Sequence, residues 1–110
     1  MKTFSEFWPF YCREHSKPLT RRLHFAGSVL GPAASVAVFL GTGSAHAFWL
    51  WVLCGYGFAW FGHFSVEKNR PATFRHPFYS LAADYVMVWK MLTGRMDEEV
   101  TRALREPKAV

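Results

Sequence analysis

Between Arg22 and Glu67 the chain carries no Asp, Glu, Lys or Arg, and apolar residues fill most positions of that interval. Gly41-Thr42-Gly43-Ser44 interrupts the run with turn-forming residues. The pattern predicts two helical spans, Leu23 to about Leu40 and Ala45 to about Val66. At a rise of ~1.5 Å per residue, about 20 such residues match a hydrocarbon layer of ~30 Å. The first span is rich in Gly, Ala and Ser, which lets helices approach closely in lipid. Gly31-Pro32 should kink it, and membrane helices tolerate this where neighbours satisfy the freed carbonyls. Two crossings return the chain to the side on which it began.

The flanks read as shorter helices. Thr3 and Glu6 have capping-box spacing, and a helix started there places Phe4, Phe7, Trp8 and Tyr11 on one face. Pro9 equally allows a helix that begins at Trp8. His15 to Thr20 reads as a turn into the first span, with Thr20 as a cap. Asn69 to Pro77 is a loop. Phe78 to Met91 is a third apolar helix, interrupted by Asp84 and Lys90 and too short to span. It should pack on the hairpin or lie in the interface. Asp97 to Glu106 is a polar helix whose acids precede its arginines, as the macrodipole favours. The expected fold is therefore all-α, an integral membrane helical hairpin with flanking amphipathic or interfacial helices. Residues 1–110 form a single membrane domain: entry segment 1–22, hairpin 23–66, loop and third helix 67–96, and polar tail 97–110.

Composition changes the picture in one respect. The chain is 51% hydrophobic and 18% aromatic, and its formal charge of +5 comes from the two ends rather than from a basic stripe. That distribution argues against nucleic-acid binding. Lys2, Arg13, Lys17, Arg21 and Arg22 precede the hairpin, and Lys68, Arg70 and Arg75 follow it. By the positive-inside tendency both termini are cytoplasmic, as in a multi-pass protein of a bacterial inner membrane with lipid as partner. Ala45-His46-Ala47 imitates a secretory cleavage site, but the preceding region is long for a signal and a second apolar run follows. Cys12 and Cys54 have neither disulfide density nor zinc-site spacing.

The candidate chemistry sits at the edges of the uncharged interval. On an α-helix, His63 and Glu67 are four residues apart and share a face. His24 begins the first span, and His15 lies just before it. In an antiparallel hairpin the start of one span and the end of the other share a depth. His15, His24, His63 and Glu67 can then converge on one metal ion. Imidazoles with a carboxylate and open positions suit Fe(II), Mn(II) or Zn(II). Asp84 and His76 are candidates for orienting the ligands, and Arg70 and Arg75 for holding a substrate carboxylate. His46 lies at the opposite end of the hairpin and should be structural.

Several blocks carry a family resemblance: Phe7-Trp8-Pro9-Phe10-Tyr11 leading to His15, Arg22 to Gly27, and Gly55 to Phe64 followed by Glu67-Lys68-Asn69-Arg70-Pro71-Ala72. From about residue 4 to about residue 95 the chain resembles a small membrane family that includes the 2-hydroxy fatty acid dioxygenase of yeast phytosphingosine breakdown. The resemblance implies an Fe(II)-dependent dioxygenase. A 2-hydroxy fatty acid and O2 would react with loss of C1, giving an acid one carbon shorter. The family's iron histidines correspond to His15, His24 and His63, with Glu67 beside them. Thr20 stands where the family pattern has Asn, and His76 where relatives carry an aromatic residue. Two rival classes remain at this point. One is a bis-histidine haem or electron-transfer membrane protein using His24 and His63. The other is a small interaction protein without catalysis.

Overall fold

A computed structural model describes residues 2–72 and 75–105. The described residues hold five α-helices and no strand: α1 (Phe4–Glu14), α2 (Pro18–Thr42), α3 (Phe48–Phe61), α4 (Pro77–Leu92) and α5 (Met96–Arg105). Thr73 and Phe74 of the predicted loop, and the tail from Glu106 onward, lie outside the described residues.

α2 and α3 form an antiparallel pair. Gly27 opposes Cys54, Gly55 and Phe58, whereas Gly31, one turn later, opposes Trp51 and Cys54. A Cβ at Gly27 would lie 2.9 Å from the Cys54 carbonyl oxygen, and one at Gly31 3.1 Å from that of Trp51. The contact is therefore made backbone to backbone. Gly27, Ser28, Gly31 and Ser35 are buried along it, while Leu30, Val36, Phe39, Leu40, Trp49 and Leu53 face outward. This is the reverse of a water-soluble pair, which buries its large apolar residues.

α2 runs unbroken through Pro32. Proline has no N–H to give to the carbonyl four residues back, which here belongs to Ser28. The Tyr85 hydroxyl of α4 donates to that carbonyl at 3.2 Å, and the Trp51 indole N–H of α3 donates to the Tyr85 oxygen at 3.0 Å. A neighbouring helix thus satisfies the freed group, and the three helices are tied at one level.

Two boundaries differ from the sequence expectation. α2 begins at Pro18 rather than Leu23, because proline in the first turn presets the backbone. Thr20 is consequently inside the helix and fully buried, and caps nothing. The second span is not one α-helix. A 3₁₀ turn (Ala45–Ala47) leads into α3, and a π-helical turn (Gly62–Glu67) follows it. By length and composition, α2 is the one described helix apolar enough to cross a membrane.

The remaining helices make a head at the open end of the pair. The Thr3 hydroxyl caps α1 by accepting the Glu6 N–H at 3.2 Å, as the capping spacing predicts. α1 then continues through Pro9, since Phe7 and Tyr11, on either side of it, are both fully buried. They meet Ala83 and Met87 of α4 and Met96, Val100 and Ala103 of α5 in one core. α4 also packs against α2 and leaves Phe78, Leu81, Trp89 and Leu92 exposed.

The glycine contact gives a direct test. Gly27→Val should destabilise the protein in detergent by about 1–3 kcal/mol through overpacking. Gly41→Ala, whose Cβ would meet nothing within 4 Å, should not lower the thermal midpoint. Equal midpoints for both variants would mean that the helices do not meet at Gly27.

Candidate metal centre

Three elements deliver one imidazole each. His15 is the residue that ends α1, His24 lies in the second turn of α2, and His63 lies in the π turn. All three are buried. The His15 and His24 Nε2 atoms are 3.1 Å apart, and those of His24 and His63 are 3.2 Å apart.

The opposite nitrogen of each ring decides the protonation. His15 Nδ1 lies 2.7 Å from the Tyr11 carbonyl oxygen, which can only accept, so Nδ1 carries the hydrogen. His63 Nδ1 lies 2.6 Å from Asn69 Oδ1. That amide is oriented by its own nitrogen, which donates to the Glu14 carbonyl at 3.0 Å and to the Glu14 carboxylate. His24 Nδ1 lies 3.1 Å from Asp84 Oδ1, whose carboxylate also accepts the Tyr11 hydroxyl. With each Nδ1 engaged by an acceptor, the three Nε2 atoms are turned toward one another. Burial, and then the neighbouring imidazoles, hold the His15 pKa well below its ordinary value and keep that ring neutral.

Such a cluster fits a cation. At metal–nitrogen bonds of about 2.1 Å, adjacent donors lie about 3.0 Å apart for a right angle and about 3.4 Å for a tetrahedral one. The observed separations fall between these values. Three imidazoles on one face leave the positions opposite for exchangeable ligands. Two imidazoles on opposite sides of a haem would stand about 4 Å apart with a flat slot between them. Here a third imidazole closes the space.

The other predicted site residues occupy different places. Glu67 does not join the imidazoles. Its oxygens accept the Ser16 hydroxyl at 3.0 Å and the Lys17 N–H at 2.6 Å. Those two bonds hold the carboxylate at the junction of α1 and α2, although His63 and Glu67 belong to the same π turn. Lys68, in the left-handed region at φ 61°, ends the turn and brings Asn69 back over His63. Asp84 reaches His24 directly. His76 packs edge-on to Phe7 and stacks on Tyr79, away from the cluster. Neither Arg70 nor Arg75 lines the cavity beside the site. Cys12 is buried in the head, and desolvation pushes its thiol up to about 12, so it offers no thiolate. Asn69 is the functional side chain that residue spacing alone misses, because its role depends on the π turn.

A cavity of about 310 Å3 opens at the cluster. His24, His63 and Asp84 form its polar end, and Val52, Phe48 and Trp51 extend it along the helices.

A sequence profile described as 2-hydroxy-palmitic acid dioxygenase Mpo1-like matches residues 1–96. The chain belongs to the Mpo1-like family. No curated protein sequence and no solved structure gave a significant match. The profile covers α1 to α4 and the first residue of α5, so every residue of the three-histidine cluster and its hydrogen-bond partners lies within the Mpo1-like region.

Metal analysis of the purified protein tests this arrangement. One ion per chain is expected, with near-complete loss in His24→Ala. Asn69→Leu should retain the fold but weaken affinity by roughly 10–100-fold, as removal of a ligand-orienting partner typically does. Glu67→Gln should keep the ion. Metal loss in Glu67→Gln equal to that in His24→Ala would place the carboxylate among the ligands.

Proposed function

We propose that this protein is a membrane-embedded, Fe(II)-dependent dioxygenase that shortens 2-hydroxy fatty acids by their C1 carbon. The observation that carries the reading is the buried group of three imidazoles, two of which, His24 and His63, line the polar end of an apolar cavity. Membership in a family described as 2-hydroxy-palmitic acid dioxygenase-like supplies the substrate class. His15, His24 and His63 would hold the iron. When bound, iron supplies a site where a 2-hydroxy carboxylate and O2 are brought together for oxidative cleavage of C1–C2.

The rest is done by the chain. Asp84, Asn69 and the Tyr11 carbonyl fix the three ring orientations before any ligand arrives. The Tyr11 hydroxyl donates to Asp84, and burial followed by that carboxylate raises the phenol well above its ordinary pKa, so it remains a donor. The cavity wall of Val52, Ala59 and Leu81 receives the alkyl tail and excludes water from the polar end. No arginine lines that cavity among the described residues. The substrate's acid head is accordingly assigned to the metal rather than to Arg70 or Arg75.

The outward-facing apolar residues of α2, α3 and α4 support a membrane location. Lys17, Arg21, Arg22, Lys68 and Arg70 all flank the same end of the helix pair. We therefore place that end and both termini on the cytoplasmic side, in a bacterial inner membrane. Lipid-dissolved fatty acids then reach the cavity from the bilayer.

Oxygen uptake by the anaerobically iron-loaded protein in detergent is the decisive measurement. Addition of 2-hydroxypalmitate should start uptake and yield the fifteen-carbon acid by mass spectrometry, whereas palmitate should not. His63→Ala should abolish uptake while the protein still partitions with membranes. Full turnover by metal-free protein would refute the proposal.

A further inference from the structure

We propose that the aromatic stripe of α1 is a relay that carries one-electron oxidising equivalents away from the three-histidine centre to the protein surface. The inference rests on reading that centre as one that binds a redox-active metal.

Phe4, Trp8, Tyr11 and His15 recur at spacings of four, three and four, so they form a single line along α1 and onto the residue that ends it. Tyr11 stacks on His15 with ring centroids 4.0 Å apart and an interplanar angle of 25°. Trp8 stacks on Tyr11 at 5.6 Å and 14°, and Phe4 on Trp8 at 6.0 Å and 26°. The line runs from a fully buried ring to a partly exposed one: His15 and Tyr11 are 0% accessible, whereas Trp8 reaches the surface. Neither Tyr11 nor Trp8 lines the cavity, so the stack does not touch the substrate.

Packing alone does not account for the residue types. Phenylalanine fills positions 4, 7 and 10 of the same helix. The two oxidisable aromatics stand in sequence between a ring of the metal cluster and the surface, and each has a carboxylate at its ionisable hydrogen. The Tyr11 hydroxyl donates to Asp84, and the Trp8 indole N–H donates to Glu99 at 3.3 Å. Phenol and indole yield electrons only to strong oxidants. The stack is therefore unsuited to ordinary reduction of a metal and suited to removing an oxidant left when oxygen reacts without a fatty acid.

The steps balance. One electron passes from Tyr11 to the oxidised centre while its hydroxyl proton moves to Asp84, leaving a neutral phenoxyl radical. Trp8 then gives one electron to that radical, and the proton returns from Asp84 to the phenol oxygen. The indole cation radical rests beside the Glu99 carboxylate until a soluble one-electron donor, such as a thiol or ascorbate, reduces it.

The test uses the full iron-loaded chain in liposomes, hydrogen peroxide as oxidant and no fatty acid. Freeze-quench electron paramagnetic resonance should show an aromatic radical in the wild type, and peptide mapping should find added oxygen concentrated at Trp8. Trp8→Phe should keep the iron content and the initial rate on 2-hydroxypalmitate. Its tyrosyl signal should live several-fold longer, and in the 2-hydroxypalmitate assay it should inactivate after fewer turnovers. Tyr11→Phe should lose the Trp8 oxidation, with damage moving to His15 and His24. Unchanged Trp8 oxidation in Tyr11→Phe, or an unchanged tyrosyl lifetime in Trp8→Phe, overturns the relay. Should Tyr11→Phe lose iron, the Trp8→Phe lifetime decides alone. Iron binding with Trp8 oxidation but no 2-hydroxy acid turnover overturns the dioxygenase reading and leaves the relay standing. A protein that binds no iron overturns both.

Discussion

Three imidazole Nε2 atoms directed at one another in a buried space are the constraint on which the rest of the structure turns. They lie 3.1–3.2 Å apart, and burial removes the water that would otherwise bond to them. A cation bound at their centre would satisfy all three and join the head to the helix pair. The three rings come from the end of α1, the second turn of α2 and the π turn after α3. Asp84 brings α4 to the same point. Metal binding should therefore be strongly linked to folding, since an unfolded chain offers no preformed site.

The π turn shows how local backbone geometry serves that constraint. The turn ends on Glu67, which accepts from Ser16 and Lys17 and braces the junction between α1 and α2. It also lets Asn69 close back on His63 Nδ1 while its amide nitrogen holds Glu14. One irregular turn thus fixes a ligand's orientation and ties α1 to the hairpin. A regular helix, with His63 and Asn69 six residues apart, would have separated those two side chains.

Much of this was legible in the residues, for identifiable reasons. The uncharged interval and the Gly41–Ser44 turn mark an antiparallel pair, and the Gly27 and Gly31 contacts follow from small residues spaced one turn apart. His15, His24 and His63 could be grouped because an antiparallel pair equates the depths of its open ends. Asp84 could be read as a ligand-orienting partner because an acid on an apolar helix needs one. The place of Glu67 was not legible. Spacing puts Glu67 on the face of His63, but the groups that hold its carboxylate, the Ser16 hydroxyl and the Lys17 N–H, lie far away in the sequence. The start of α2 was misplaced because the apolar pattern begins at Leu23, whereas Pro18 and the Glu67 bond to Lys17 set the first turn.

The inside-out packing of the helix pair bears on where the chemistry can occur. Small residues at the α2–α3 contact bring the backbones close, which frees the larger apolar side chains to face outward. The same closeness leaves no room between α2 and α3 for a substrate. The cavity at the histidines opens where α4 stands off α3, and there Tyr85 bonds both the Ser28 carbonyl and the Trp51 indole. The proline in α2 is thus part of the cavity's construction. Pro32 leaves the Ser28 carbonyl without its intrahelical donor, and the Tyr85 hydroxyl of α4 takes that place. Asp84 precedes Tyr85 on the same helix, so the bond that satisfies α2 also sets the carboxylate that orients His24. Backbone satisfaction in the apolar pair and ligand orientation at its polar end are consequences of one helix placement.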